Sequence, residues 1–156
     1  MDTLIASIII WLSANVGLPE TSHHPTIKLV TPHDLIEVRA AILDTEEEKT
    51  KLRAALGRED NSHGFVALYD DRSQTIYLRK DWSAASPVDV SVLVHEMVHH
   101  LQNVAEIDYP CEEGREYPAY QAQELWLENA GTSLEREFEI DAMTLLVLTK
   151  CWFGPP

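Results

Sequence analysis

The sequence has few basic residues and no basic cluster. Its 156 residues include 12 lysines and arginines against 26 aspartates and glutamates, which gives a formal net charge of −14. Proteins that bind nucleic acid or an anionic membrane need clustered cations that displace the counterions of phosphate groups. The densest basic stretch, residues 49–58, is flanked on both sides by acidic residues. We therefore expect neither nucleic acid nor an anionic membrane as a partner.

Long hydrophobic runs are also absent from the N-terminus. Residues 4–12, LIASIIIWL, fall short of a membrane-spanning helix, which needs about 20 residues. A secretory signal begins with a positive segment, but the first 18 residues contain no lysine or arginine. We expect no stable membrane span, and predict that residues 1–18 form an amphipathic helix of the mature fold, capped by Asp2 or Thr3 and ended by Gly17. A signal or anchor is the alternative. The helix permits a cytoplasmic location, whereas a signal would favour the periplasm or the exterior.

Cysteine is scarce as well. Only Cys111 and Cys151 are present, too few for a disulfide framework. In an exported protein they could form one bridge, whereas free thiols are the rule in the cytosol. Their spacing in the sequence does not decide whether the two cysteines pair. A chain of 156 residues buries about 70% of its unfolded surface, so it can fold without disulfide bridges. With 45% apolar and 24% charged residues, the sequence predicts a single domain over residues 1–156.

The first half of the chain predicts helices around a short strand. Residues 26–30, TIKLV, are rich in β-branched side chains and predict a strand. Thr31 and Pro32 then form a helix start, with a capping hydroxyl followed by proline at the first helical position. The charged residues 44–60 extend that helix or form another that ends at Gly57.

The second half predicts a hairpin and three helices. Apolar residues 64–69 and 75–78 flank turn-forming residues and predict a β-hairpin. Helices are predicted over residues 87–105, 115–129 and 133–150. The order of elements predicts an α+β fold, a mostly helical domain with a small sheet made of the hairpin and one short strand.

The helix predicted from residue 87 contains an H-E-x-x-H motif, from His95 to His99. Residues four apart lie on one helix face, so both imidazoles can bind one Zn²⁺. Glu96 lies beside them, where it can take a proton from a metal-bound water. Residues 90–101 are mostly apolar, and burying these polar groups without partners would cost several kcal/mol. The alternative is two core histidines satisfied by protein groups, with Glu96 facing solvent. His100 points about 100° away and is expected to support the site or lie at the surface.

A catalytic zinc usually has three protein ligands and one open position. No H-x-x-G-x-x-H extension follows the motif, which disfavours a third histidine. Glu116 follows His99 by 17 residues, enough for a turn and an antiparallel helix, with Glu116 and Pro118 in its first turn. Tyr120 shares a face with Glu116 and could stabilise an oxyanion. Other candidate ligands remain open, namely Glu112, Glu113 and Cys111.

An H-E-x-x-H motif followed by a glutamate on the next helix resembles the gluzincin zinc metallopeptidases, and the short chain resembles their minimal members, the minigluzincins. The E-x-x-A-Y pattern from Glu116 to Tyr120 is similar to a motif of several small bacterial metallopeptidase families. This resemblance implies a zincin-like fold with Zn²⁺ bound by His95, His99 and Glu116, and with Glu96 as general base.

The resemblance also implies that the small sheet packs beside the active-site helix and that its edge strand binds extended peptide. The hairpin at residues 64–78 is the candidate for that sheet. Many gluzincins carry an aspartate where this chain has Tyr120, so the groups that support the ligands are unassigned. Asp89, Glu124 and Asp141 are candidates, but a cap or surface group is the favoured interpretation of each.

We therefore expect a zinc metallopeptidase that acts on a peptide or protein substrate. One alternative is a non-catalytic zinc-binding or protein-interaction domain, in which a group such as Cys111 closes the fourth metal position. Another is a metal-free helical module in which the motif occurs by chance.

Overall fold

A computed structural model of the chain describes residues 1–43, 45–56 and 66–152. Within these ranges the chain forms seven helices and a three-stranded mixed sheet, so the predicted α+β class is confirmed. None of the described helices combines the length and the apolar character that crossing a membrane requires.

The first helix, α1 (Asp2–Val16), is part of the core. Ile8 and Leu12 are fully buried in a cluster with side chains of later helices and of the sheet. The helix ends at Gly17, whose φ of 77° lies in the left-handed region that favours glycine. The predicted cap is wrong, because the helix already includes Asp2 and Thr3 and begins after Met1, which makes no side-chain capping bond.

The sheet joins the predicted strand to the predicted hairpin. Strands β1 (Thr26–Val30), β2 (Ala67–Asp70) and β3 (Thr75–Arg79) are arranged in the order β1-β3-β2. Strand β3 is central, parallel to β1 and antiparallel to β2, with Asp70 opposite Thr75 across a four-residue turn. The first predicted hairpin residues, 64 and 65, lie outside the described residues.

Two helices separate β1 from the hairpin. Helix α2 (Pro32–Ile42) begins as predicted, with the Thr31 hydroxyl accepting a hydrogen bond from the backbone N–H of Asp34. Helix α3 (Glu46–Leu56) is a separate helix rather than a continuation. Its predicted end at Gly57 lies outside the described residues.

Helix α4 (Pro87–Val104) is the centre of the domain. The Ser86 hydroxyl accepts a bond from the N–H of Asp89, so the predicted start is confirmed. All residues from Val90 to Gln102 are buried. This burial follows from an apolar sequence on nearly every side of the helix.

Helix α5 (Glu112–Asn129) begins three residues earlier than predicted, because the Cys111 sulfur accepts a hydrogen bond from the N–H of Gly114 and caps the helix. Pro118 consequently lies in the helix interior and not in its first turn. Cys111 is also disulfide-bonded to Cys151, so the pairing is settled and Cys111 is not a free thiolate for metal binding.

The helix predicted over residues 133–150 is wrong. The chain forms two helices there, α6 (Leu134–Phe138) and α7 (Ala142–Thr149). Glu139 adopts a φ of 58° and ends α6, and the Asp141 carboxylate starts α7 by accepting a bond from the N–H of Thr144. The break occurs because this cap competes with a continuous helix.

Candidate metal centre

Helices α4 and α5 pack against each other in antiparallel orientation. His95, early in the motif, lies against Gln123 near the end of α5, whereas Gln102 reaches Arg115 near its beginning. Ala119 is fully buried, and its small side chain lets the helices approach closely. The antiparallel arrangement brings the first turns of α5 over the H-E-x-x-H motif.

The structure brings His95, His99 and Glu116 together. The two Nε2 atoms lie 3.2 Å apart, and the Glu116 oxygens lie 3.1 Å from Nε2 of His95 and 3.4 Å from Nε2 of His99. All three ligand atoms lie within 4.8 Å of one another, so the group could hold a metal ion. Among the other candidates, Glu112 and Glu113 are exposed and do not belong to this group.

The ring of His95 is oriented by a glutamine. Its Nδ1 lies 3.1 Å from Oε1 of Gln123. The Gln123 amide nitrogen donates to the Ser91 hydroxyl, which donates in turn to the carbonyl of Val88. Because this series of hydrogen bonds fixes Oε1 of Gln123 as the acceptor, His95 carries its proton on Nδ1. Its Nε2 lone pair is then left for the site.

A second glutamine orients His99 in the same way. Oε1 of Gln102 lies 3.0 Å from Nδ1 of His99 and also accepts a bond from Nε of Arg115. The Gln102 amide nitrogen donates to the carbonyl of Arg115. His99 therefore also carries its proton on Nδ1, and both histidines present a lone pair from Nε2.

The donor set fits a divalent cation. Two imidazole lone pairs and a carboxylate converge at one point, an arrangement that a cation stabilises and that the neutral imidazoles alone do not. Burial opposes ionisation of Glu116, but the hydrogen bonds that His95 and His99 donate through Nε2 when their rings are cationic outweigh it and hold its pKa well below the ordinary value. Burial likewise lowers the pKa of His99, but Glu116 more than reverses this and leaves that pKa raised. Glu116 is thus a carboxylate ready to bind a cation.

Glu96 follows His95 in the sequence and is not one of the three residues whose ligand atoms converge. It is 8% exposed and lines the cleft beside the cluster. Burial raises its pKa, while the neighbouring His95 and His99 and a hydrogen bond from the backbone N–H of Tyr69 act in the opposite direction. A buried carboxylate whose pKa is raised is a suitable proton acceptor near neutral pH. The predicted exposure of Glu96 in a metal-free core is not observed.

Tyr120 lies against the cluster from α5. Its ring is 4.6 Å from that of His95, edge to face. Burial raises its pKa to about 12, with the charges of Glu116 and Glu96 acting in the same direction. The phenol therefore keeps its proton and can donate a hydrogen bond.

These residues line a cleft of about 830 Å³. Strand β2 forms one wall, with residues 66–70 all in contact with the cleft. Apolar side chains from the C-terminal part of the chain form another wall, namely Phe138, Ile140 and Leu148. The candidate metal ligands thus lie in an open, partly apolar cleft beside the edge of a sheet.

His100 has no place in the metal centre, and it is not at the surface. It is fully buried, its Nε2 donates to the carbonyl of His23, and its Nδ1 lies 3.1 Å from the Tyr69 hydroxyl. Asn103 donates to the same hydroxyl. His100 therefore ties α4 to β2 and to the segment before β1.

The three acids considered as supports of the ligands act as caps and surface acceptors instead, as expected of them. Asp89 accepts a hydrogen bond from the N–H of Ser83, Glu124 accepts one from the N–H of Leu134, and Asp141 caps α7. The residues that do support the histidines, Gln102 and Gln123, went unpredicted. Each of these glutamines lies on a buried face of its helix. A buried amide needs hydrogen-bond partners, so this placement could have indicated their role.

Comparison with known proteins places the chain in a family. The family model described as Domain of unknown function (DUF6647) matches residues 1–152. No curated protein and no solved structure matches the chain. Since the match covers nearly the whole chain, this protein belongs to the DUF6647 family.

Proposed function

We propose that this domain is a zinc-dependent metallopeptidase of the minigluzincin type, with a zincin-like fold. His95, His99 and Glu116 would bind the metal ion, and Glu96 would act as general base. The observation that carries the proposal is the convergence of two Nε2 lone pairs and one carboxylate within 4.8 Å, in a cleft that Glu96 also lines. A purely structural cluster would have no need of an open cleft.

Zinc is the metal that the donor set favours. Imidazole and carboxylate suit Zn²⁺, and two histidines with one glutamate leave one coordination position open, as catalytic zinc sites require. When bound, the ion would act as a Lewis acid that polarises a carbonyl group and lowers the pKa of water. The disulfide supports an open position, because it occupies Cys111, which was a candidate for closing the site.

Glu96 and Tyr120 would supply the acid–base chemistry. Glu96 would take a proton from the attacking water as its oxygen bonds to the scissile carbonyl carbon. It would then give that proton to the amine nitrogen as the C–N bond breaks. The protonated Tyr120 hydroxyl would donate a hydrogen bond to the developing oxyanion. The pKa directions of both residues support these roles.

The substrate would be an extended peptide. Strand β2 pairs with β3 along one edge, and its residues line the cleft beside the metal ligands. An extended segment can add to such an edge through main-chain hydrogen bonds. The apolar wall that includes Phe138 and Leu148 would accept a hydrophobic side chain of that segment.

The test is Glu96→Gln, which keeps the side-chain volume but removes the base. We expect the variant to retain about one zinc per chain, as the wild type does, and to lose hydrolysis of a fluorogenic peptide library. Glu113→Gln is the matched control, because Glu113 is exposed and lies outside the cleft lining. Hydrolysis that persists in Glu96→Gln would refute the mechanism. A wild type that holds zinc but cleaves no peptide would favour the non-catalytic zinc domain.

A further inference from the structure

The guanidinium group of Arg115 joins three parts of the domain. Two of its nitrogens bind the Asp71 carboxylate at 2.7 and 2.6 Å, in the turn between β2 and β3. Its Nε donates to Gln102, and one Nη donates to the carbonyl of His99, both on α4. Arg115 itself lies on α5, next to Glu116 in sequence.

The contact with Gln102 fixes which way that amide points. Oε1 receives hydrogen bonds from both Arg115 and His99, and the amide nitrogen donates back to the carbonyl of Arg115. A flipped amide would place its NH₂ group against the Nε–H of Arg115 and its oxygen against the carbonyl of Arg115, so it would lose both of those bonds and could bond His99 only in the other tautomer. The donors of Arg115 therefore decide that His99 meets an acceptor and holds its proton on Nδ1.

We propose that Arg115 is a positioning residue of the metal centre, which holds the His99 ring through Gln102 with Nε2 turned towards Glu116. The same side chain anchors the turn that follows β2, and so joins the cleft wall to the ligand helix. As far as it concerns metal binding, the inference rests on the proposed function. The inference about the tautomer of His99 rests only on the hydrogen bonds of Gln102, which do not involve a metal ion.

A simple charge effect predicts the opposite sign. A guanidinium close to the centre repels a divalent cation, so removing it would strengthen metal binding if charge alone mattered. If Arg115 orients a ligand, removing it weakens binding instead. Loss of a group that orients a metal ligand typically costs about 10- to 100-fold in metal affinity. The sign of the change therefore separates the two explanations.

The experiment measures zinc affinity by competition with a chromophoric chelator for Arg115→Gln, Gln102→Leu and Gln102→Glu. Arg53→Gln is the matched control, because Arg53 makes a similar two-bond pair with Glu37 and does not line the cleft. We expect Arg115→Gln and Gln102→Leu to bind zinc about tenfold more weakly or worse. Gln102→Glu keeps the acceptor for His99 but loses the bond to the Arg115 carbonyl, so it should bind zinc more tightly than Gln102→Leu, and the control should bind as the wild type does.

A second measurement does not depend on metal. Long-range ¹H–¹⁵N spectra of the metal-free protein in alkaline solution distinguish the two tautomers of His99. We expect the Nδ1–H form in the wild type and in Gln102→Glu, and a mixture in Arg115→Gln and Gln102→Leu. A loss of packing alone would lower stability without selecting a tautomer.

The outcomes separate the two proposals. Unchanged or tighter zinc binding by Arg115→Gln, with the His99 tautomer unchanged, would overturn the positioning role. A wild type that binds no zinc would overturn the proposed function, and the tautomer spectra would still decide the role of Arg115. If Arg115→Gln fails to fold, the contrast between Gln102→Glu and Gln102→Leu tests the same acceptor.

Discussion

Replacing Glu116 with glutamine should greatly reduce zinc retention and leave the fold intact. The substitution keeps the side-chain volume on a residue whose side chain is 36% exposed and which caps no helix. It removes the carboxylate that lies 3.1 and 3.4 Å from the two histidine Nε2 atoms. Loss of a group that merely orients a ligand costs about 10- to 100-fold in metal affinity, so loss of a ligand should cost at least about 100-fold.

The size of the effect follows from linkage. A protein held at a free zinc concentration of 1,000 times its Kd gains about 4.1 kcal/mol of stability. For a chain of this size that raises the melting temperature by about 8–16 °C. At the same zinc concentration, a variant with a 100-fold weaker site gains about 1.4 kcal/mol, or about 3–6 °C. The difference is well within the resolution of a thermal melt.

The assay combines zinc per chain, by mass spectrometry of metals, with melts in the presence and absence of zinc. Glu113→Gln serves as control, since it changes the same residue type in the exposed first turn of the same helix. Wild type and control should each hold about one zinc per chain. A Glu116→Gln protein with full zinc and the full thermal shift would refute the assignment. Glu112, which also lines the cleft, would then be the next ligand to test.

Three further predictions concern the fold and Tyr120. Ile8→Ala should lower the free energy of unfolding by about 2–5 kcal/mol in guanidinium titrations, because the side chain is fully buried; a neutral result would show that α1 does not belong to the core. Cys151→Ser opens a 40-residue loop and should cost about 4 kcal/mol by the same assay; no loss would mean that the bridge is absent in solution. Absorbance titration of the metal-free protein should show a phenol ionising near pH 12 that disappears in Tyr120→Phe. Because the folded state holds this proton more tightly than the unfolded state, whose pKa is about 10, Tyr120 should reduce stability as the pH rises from about 10 through 12; ionisation at the ordinary tyrosine pKa would contradict its burial.

Local chemistry explains why most elements could be predicted. Thr31 with Pro32, and Ser86 before α4, start helices through bonds within three or four residues, so the signal is contained in the adjacent sequence. The failures have another origin. Cys111 caps α5 with its sulfur although it is also in a disulfide, so a tertiary contact accompanies the start of that helix. Asp141 caps α7 within residues that were predicted as one helix, so two local signals compete there.

The candidate site divides in the same way. His95 and His99 could be predicted because one helix fixes their spacing. Predicting Glu116 required a second helix that packs antiparallel on the first. The 17 residues between His99 and Glu116 allow that packing but do not require it. Gln102 and Gln123 could not be predicted, because their partners depend on the rotation and register of α5 against α4. Hydrogen bonds between helices carry no periodic signal in the sequence.

The turn that carries Glu116, the candidate third ligand, is intrinsically the weakest part of α5. Gly114 and Pro118 flank it, and both are poor residues for a helix interior. Pro118 also has no N–H to donate to the carbonyl of Gly114. A glycine nevertheless suits this position, because a Cβ there would lie 3.2 Å from the Cys151 sulfur, a tight contact. The Cys111–Cys151 disulfide and the Arg115–Asp71 ion pair therefore stabilise this turn through contacts outside α5. One residue of each contact lies close to Glu116 in the sequence.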